Sequence, residues 1–331
     1  MDARSRWVAS AGMALTPTAT STEHVLSPVP AEVPSARRLR RTALAAIVTN
    51  VVIVVTGGLV RLTQSGLGCP DWPTCSGSRI IPELAGDVAG WHQFIEFGNR
   101  LLTGMVLGVA IALVLAARRD ADGGPRVRPL AWWLLAGVLT QAVLGGITVL
   151  TGLHPLWVAA HYLVSAALIA VAAVAHDRVR AQRVGDEVAV PDALRRLASL
   201  VVPVAAGVLV MGTLVTGAGP HAGDPGTVRL ALDVRSVAFL HADLVWLLVG
   251  LSVATLVVAQ ALGHARVRRA AAVLVAVELA QGTLGYVQYA AGVPEVLVGL
   301  HLLGSTLVWL AAWRLLLQAS RSAHDPLLVV T

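Results

Sequence analysis

Three histidines, His161, His241 and His301, and one asparagine, Asn99, stand near the same ends of alternate long apolar segments. Their spacing repeats. Gln141 precedes His161 by the interval that separates Gln281 from His301, and Asn99 stands to Gly108 as His241 stands to Gly250. Imidazoles that face each other across a helix bundle hold haem iron through its axial positions. The repeat therefore predicts two haem sites, one per half of the chain, with His241 and His301 as an axial pair and His161 as a ligand of the other site. Asn99 breaks the pattern, because an amide offers iron a weak neutral oxygen and no basic nitrogen.

A second group carrying chemistry is Cys69 and Cys75, the only cysteines in the chain. So close a pair, in a loop expected outside the cell, suits a disulfide in an oxidising compartment. Two readings stand side by side: a staple that shapes the loop, and a thiol pair that exchanges electrons or relays haem. A metal site is disfavoured, since two cysteines with no nearby histidine fall short of the usual ligand count. Gln141 and Gln281 are expected to bond between helices. His154 and His221 are expected in solvated outer loops. Glu278, deep in an apolar segment, has no assigned role.

The elements that must position these groups are membrane helices. Of 331 residues, 56% are hydrophobic and 13% charged, more apolar surface than a soluble core of this size would use. Eight stretches exceed the roughly 20 residues needed to cross a bilayer: 42–62, 97–117, 130–150, 156–176, 196–216, 238–261, 268–290 and 295–317. Sustained Ala, Leu, Val and Gly without period-two alternation makes them helices and not barrel strands.

The net charge of +6 does not point to nucleic acid. Arginines gather before the first span (Arg37, Arg38, Arg40, Arg41), between the second and third (Arg118, Arg119, Arg126, Arg128), between the fourth and fifth (Arg178, Arg180, Arg183, Arg195, Arg196), and between the sixth and seventh (Arg266, Arg268, Arg269). These loops share one side. The positive-inside rule makes that side and both termini cytoplasmic, in the plasma membrane, with the cysteine loop outside. Residues 1–41 are expected to be a disordered cytoplasmic tail and 318–331 a second tail.

The fold expected is all-α and integral to the membrane: eight transmembrane helices forming two tandem, pseudo-symmetric four-helix bundles, residues 42–180 and 181–317. QAVLGGITVLTGLHPLWVAAH, from Gln141, matches QGTLGYVQYAAGVPEVLVGLH, from Gln281, and TGGLV at Thr56 matches MGTLV at Met211. Four spans restore the chain direction, so the repeats are parallel. Small residues such as Gly57, Gly58, Gly145, Gly146, Gly282 and Gly285 allow close approach of a backbone or a flat macrocycle.

The run GLVRLTQSGLGCPDWPTCSG, the segment HQFIEFGNRLLTG and the stretch QAVLGGITVL with its downstream histidine, in this duplicated layout, resemble the haem A synthase family across nearly all of the chain beyond residue 41. The resemblance implies oxidation of the C8 methyl of haem O to the formyl of haem A, which supplies cytochrome oxidase assembly. It implies a haem b cofactor between His241 and His301, and substrate haem in the N-terminal half. The family's second span carries a glutamate, three residues on a histidine, and then an arginine. Glu96, Asn99 and Arg100 hold those places here, so the histidine is replaced.

His92 lies two helical turns before Asn99, about 10 Å along the axis, and is expected near the porphyrin or its propionates, the alternative being an interfacial loop histidine. Glu96 is expected to handle protons beside the substrate methyl, the alternative being a partner for Arg100 or Arg61. Arg61 and Arg100 are expected to pair with propionates or to anchor the membrane interface. With no nucleotide-binding motif, electrons must come from a separate donor, either a soluble ferredoxin-like carrier or membrane quinol. Haem O synthase, oxidase assembly factors and a second copy of the chain are further partners to consider, alongside membrane lipid. Two other classes remain: a di-haem b cytochrome that only carries electrons, and a transporter built on the parallel repeat.

Overall fold

The structure is a computed structural model that describes residues 33–82, 88–181 and 189–320. The tail expected over residues 1–32, and all but the first residues of that expected from 318 on, lie outside the described residues. Among the described residues, eight helices follow one another: α1 (Pro34–Leu62), α2 (Val88–Arg119), α3 (Gly124–Leu150), α4 (Pro155–Ala181), α5 (Asp192–Ala218), α6 (Val234–Ala261), α7 (Ala265–Ala290) and α8 (Glu295–Ala319). All eight are long and apolar enough to span a bilayer, and the chain is a multi-pass membrane protein.

Two helices begin earlier than hydropathy suggests. Helix α1 starts at Pro34, where proline's fixed φ and missing N–H suit a first helical turn. Its arginines are therefore helical, and residues 34–41 are no tail. Helix α2 starts at Val88, which draws His92 and Glu96 into the same continuous helix as Asn99. Polar residues mask a helix from a hydropathy window without weakening its backbone bonds.

Within the first half, α1 packs on α2, α2 on α3, α3 on α4, and α4 closes back on α1. The second half repeats this ring with α5, α6, α7 and α8. In each ring the helices bearing the repeated polar groups, α2 with α4 and α6 with α8, lie on diagonals. The halves meet through α4 on α8, flanked by α1 on α8 and α4 on α5. That trio obeys the same exchange of halves, since α1 corresponds to α5 and α4 to α8. Across the central pair, Trp309 Nε1 donates to the Ala166 carbonyl at 2.8 Å, and the Tyr162 and Ser305 hydroxyls lie 3.1 Å apart.

The α3–α4 and α7–α8 connections are superimposable in their bonding. Gly152 and Leu153 have φ of 61° and 59°, and Gly292 and Val293 have 76° and 61°. Leu153 N bonds Thr148 O at 2.8 Å, as Val293 N bonds Gln288 O at 2.9 Å. Left-handed conformations at non-glycine residues are costly. Keeping one at the same place in both halves shows that the turn sets where His161 and His301 fall.

The closest packing sits at the arginine-rich end. Leu39, Ala43, Leu113, Ala117, Val127, Leu134, Ala172 and Ala175 form it in the first half. Leu194, Ala198, Leu248, Ala259, Leu274, Ala312 and Leu315 form it in the second. Alanine lets helix backbones approach, which is how helices associate where lipid removes the hydrophobic drive. Fewer residues are fully buried toward the other, Cys-loop end, where the histidines stand.

Candidate functional site

In the second half, His241 stands on α6 and His301 on the diagonal helix α8. Each ring lies against a glycine of the neighbouring odd-numbered helix. A methyl group at Gly212 would lie 3.4 Å from His241 Cε1, and one at Gly285 would lie 3.2 Å from His301 Cε1. His241 Nδ1 donates to the Val208 carbonyl at 3.1 Å, which fixes the tautomer and leaves the lone pair on Nε2. His301 Nδ1 is buried with no partner. Gln281 Nε2 donates to the His301 carbonyl at 2.7 Å, pinning α7 to α8 beside the ring.

The first half reproduces this frame. A methyl at Gly145, the counterpart of Gly285, would lie 3.4 Å from His161 Cε1, His161 Nδ1 is buried without a partner, and Gln141 Nε2 donates to the His161 carbonyl at 2.9 Å. Gln141 also bonds Ser165. Asn99 stands where His241 does, with its Nδ2 3.8 Å from a methyl placed at Gly57, the counterpart of Gly212. Its Oδ1 accepts from the Thr56 hydroxyl at 2.8 Å. The second half has Met211 in place of Thr56, so two positions differ together.

Over the first half lies the cysteine loop. Cys69 and Cys75 are disulfide-bonded and buried. Trp72 rests its indole on Gly146, next to the glycine that faces His161; a methyl there would come within 2.6 Å of the ring. Arg100 holds the loop from beneath, donating to the carbonyls of Asp71 (3.0 Å), Thr74 (2.9 Å) and Cys69 (2.9 Å). Glu96, 5% exposed, accepts from Arg100 Nη2 at 2.6 Å and from Cys69 N at 2.7 Å. One turn earlier, His92 Nδ1 bonds the buried Ser65 hydroxyl at 2.8 Å. His92, Glu96 and Arg100, spaced by four, thus form one α2 stripe that fastens the loop. The structure does not bring His92 alongside Asn99, because one unbroken helix separates them by two turns.

Arg61 belongs to neither cluster. Its Nη2 donates to the Thr216 carbonyl of α5 at 2.8 Å, across the junction of the halves. His221 is not free in solvent: its Nε2 bonds the Val293 carbonyl at 2.8 Å. Glu278 is buried in the second core, accepting from Ser252 Oγ at 2.8 Å. Gly58 takes Leu302 of α8 and so serves the contact between halves, while nothing lies within 4 Å of a methyl at Gly282. Thr56, Val208 O, Gly212 and Trp72 are not singled out by sequence reasoning. Only Gly212 carries a signal for it, by aligning with Gly57.

Histidines set beside glycines at the Cys-loop end of each half are a donor set of the kind that holds a flat, iron-bearing group. The second half supplies two imidazoles and the first supplies one. The fold and the site define an eight-helix membrane protein of the duplicated, histidine-bearing kind. Residues 40–313 match the model of the COX15-CtaA family, described as cytochrome oxidase assembly protein, and the chain belongs to that family. Among relatives, a protein of Methylobacterium sp. (strain 4-46) named heme A synthase is 34% identical over 159 residues, covering 45% of this chain and 43% of the relative. One so named from Lysinibacillus sphaericus (strain C3-41) is 36% identical over 139 residues, 42% of this chain and 43% of the relative. Another from Geobacillus thermodenitrificans is 34% identical over 113 residues, 33% and 32% respectively. The matched stretch spans less than half the length of each of these relatives.

Proposed function

We propose that this protein is a haem A synthase, oxidising the C8 methyl of haem O to the formyl of haem A. Its place in the family and the printed name of its relatives support the reaction. The observation that carries the assignment of the halves is the repeated glycine-against-imidazole geometry, complete at His241 and His301 and halved at His161. In this reading His241 and His301 hold a haem b cofactor, and His161 binds the iron of the substrate haem.

Haem b, when bound, supplies a redox-active iron that passes single electrons. Methyl to formyl requires the removal of four electrons and the gain of one oxygen atom, so a separate redox partner must exchange electrons with the protein. The chain's own residues do the positioning. Val208 O and Gly212 set the His241 ring, and Gly285 sets His301. Trp72 and the disulfide loop close the Cys-loop end over His161 and keep bulk water from the substrate. Glu96 is a buried carboxylate near that site. Because both its oxygens are bound by Arg100 and Cys69, its primary task is to hold the loop, and any proton it moves passes through that clamp.

The halves differ for a chemical reason. A substrate must leave, and one imidazole holds iron more loosely than two. Thr56 occupies the Asn99 oxygen, which removes it as a second ligand. A cytochrome that only carries electrons has no use for that asymmetry. By the positive-inside rule the arginine-rich end, with both termini, is cytoplasmic and the disulfide loop lies outside.

Extracted pigment tests the reaction. Membranes given haem O should yield the protein with haem b together with haem O and haem A. Haem b alone, with haem O unconverted, would mark an electron carrier instead.

A further inference from the structure

At the Cys-loop end, between the two halves, three buried donors have no partner: Arg61 Nε, Arg229 Nη1 and Thr227 Oγ1. They belong to one structural corner. Arg61 ends α1, and the α5–α6 connection carries Thr227 and Arg229. Arg61 uses Nη2 on Thr216 O, and Arg229 uses Nη2 on Pro220 O, so both guanidiniums converge on the end of α5. Leu230 N returns to Gly217 O at 3.0 Å, folding the connection back over that end. Gly223, with φ of 103°, brings backbone against Arg61; a methyl there would sit 3.5 Å from Arg61 Cγ.

Capping α5 accounts for one nitrogen of each arginine, since cations suit the carbonyl end of a helix. It does not account for the rest. Arg229 is the charge that acts on Arg61, and the two repel. Among the described residues no carboxylate pairs with either guanidinium. Two like charges, partly removed from water with donors left over, call for an anion that accepts from both. Thr227, 8% exposed, adds a hydroxyl donor to the set.

We infer that Arg61, Arg229 and Thr227 form a carboxylate site that takes a propionate of the haem held by His241 and His301. This rests on the haem assignment proposed above. The second half is favoured over the first by what surrounds Arg61. Its helix packs on α8 beside His301, with Gly58 against Leu302 and Gly299 against Leu62. Arg229 lies in the connection that leads directly into the helix bearing His241. His241 and His301 both stand about 10 Å along their helices from the ends that face this corner. Arg61 is thereby a residue of the first half that secures the cofactor of the second.

The probes are iron protoporphyrin IX and its dimethyl ester, added to the full-length chain purified without haem. His161→Ala leaves only the second-half site, and His241→Ala leaves only the first. In the His161→Ala background, the free acid should bind roughly tenfold or more tightly than the ester, as for a lost charge-assisted bond. Adding Arg61→Leu with Arg229→Leu should erase that preference while the low-spin spectrum survives. Arg61→Lys should keep part of it. Equal binding of acid and ester, or a preference that survives the double replacement, overturns the carboxylate site alone. A preference confined to the His241→Ala background overturns its assignment to the second half. If the unmodified chain gives no low-spin spectrum with either probe, the haem assignment falls, and this site with it.

Discussion

Thr56 donates its hydroxyl to Asn99 Oδ1 at 2.8 Å, and the equivalent positions of the second half are Met211 and His241. The pair marks a break in a largely repeated frame. It turns a ligand position into a hydrogen bond between α1 and α2.

Asn99→His should restore a ligand, because Gly57 already provides the clearance that Gly212 gives His241. The first-half haem should shift toward a low-spin spectrum and leave the protein more slowly, by about tenfold or more. Thr56→Met in addition should strengthen the effect. Unchanged spectra and release rates in both variants would show that Asn99 does not face the iron.

Gly285 and Gly282 offer a matched pair of substitutions one turn apart on α7. A side chain at Gly285 meets His301, whereas nothing lies within 4 Å at Gly282. Gly285→Val should lose most haem b with the protein still present in the membrane, and Gly282→Val should keep it. Equal haem content in the two would remove the steric argument for His301.

Arg100→Leu frees three loop carbonyls and leaves Glu96 buried without its cation, a loss of about 3 kcal/mol or more. The expected result is a lower melting temperature, faster proteolysis of the 63–82 loop, and weaker retention of haem O. Haem b should stay. Glu96→Gln keeps an acceptor for Cys69 N and should fall between wild type and Arg100→Leu in loop stability. A Glu96→Gln protein with an intact loop and no turnover would instead give the carboxylate a direct part in proton transfer.

Much of this architecture is legible in the sequence, for a physical reason. Polar groups are costly within a bilayer, so His161, His241, His301, Gln141 and Gln281 stand out against Ala, Leu and Val, and their repeat shows. The early starts of α1 and α2 are hidden because arginines, His92 and Glu96 lower hydropathy without breaking a helix. The partners of the site are hidden more deeply. Val208, Thr216 and Pro220 act through carbonyls that every residue has. Thr56 and Arg229 gain meaning only when helices far apart in sequence are side by side. Glu96 and Arg100 look like haem contacts by position, and their bonds to the cysteine loop appear only in three dimensions.

The central claim is the division of labour between the halves, and haem analysis of three single variants tests it most directly. Each protein is purified from cells supplied with haem O, its low-spin spectrum is recorded, and its pigments are extracted. His161→Ala should retain the low-spin haem b and form no haem A, whereas His241→Ala and His301→Ala should each lose the low-spin haem b. Loss of haem b from His161→Ala, with full retention in the other two, would contradict the account.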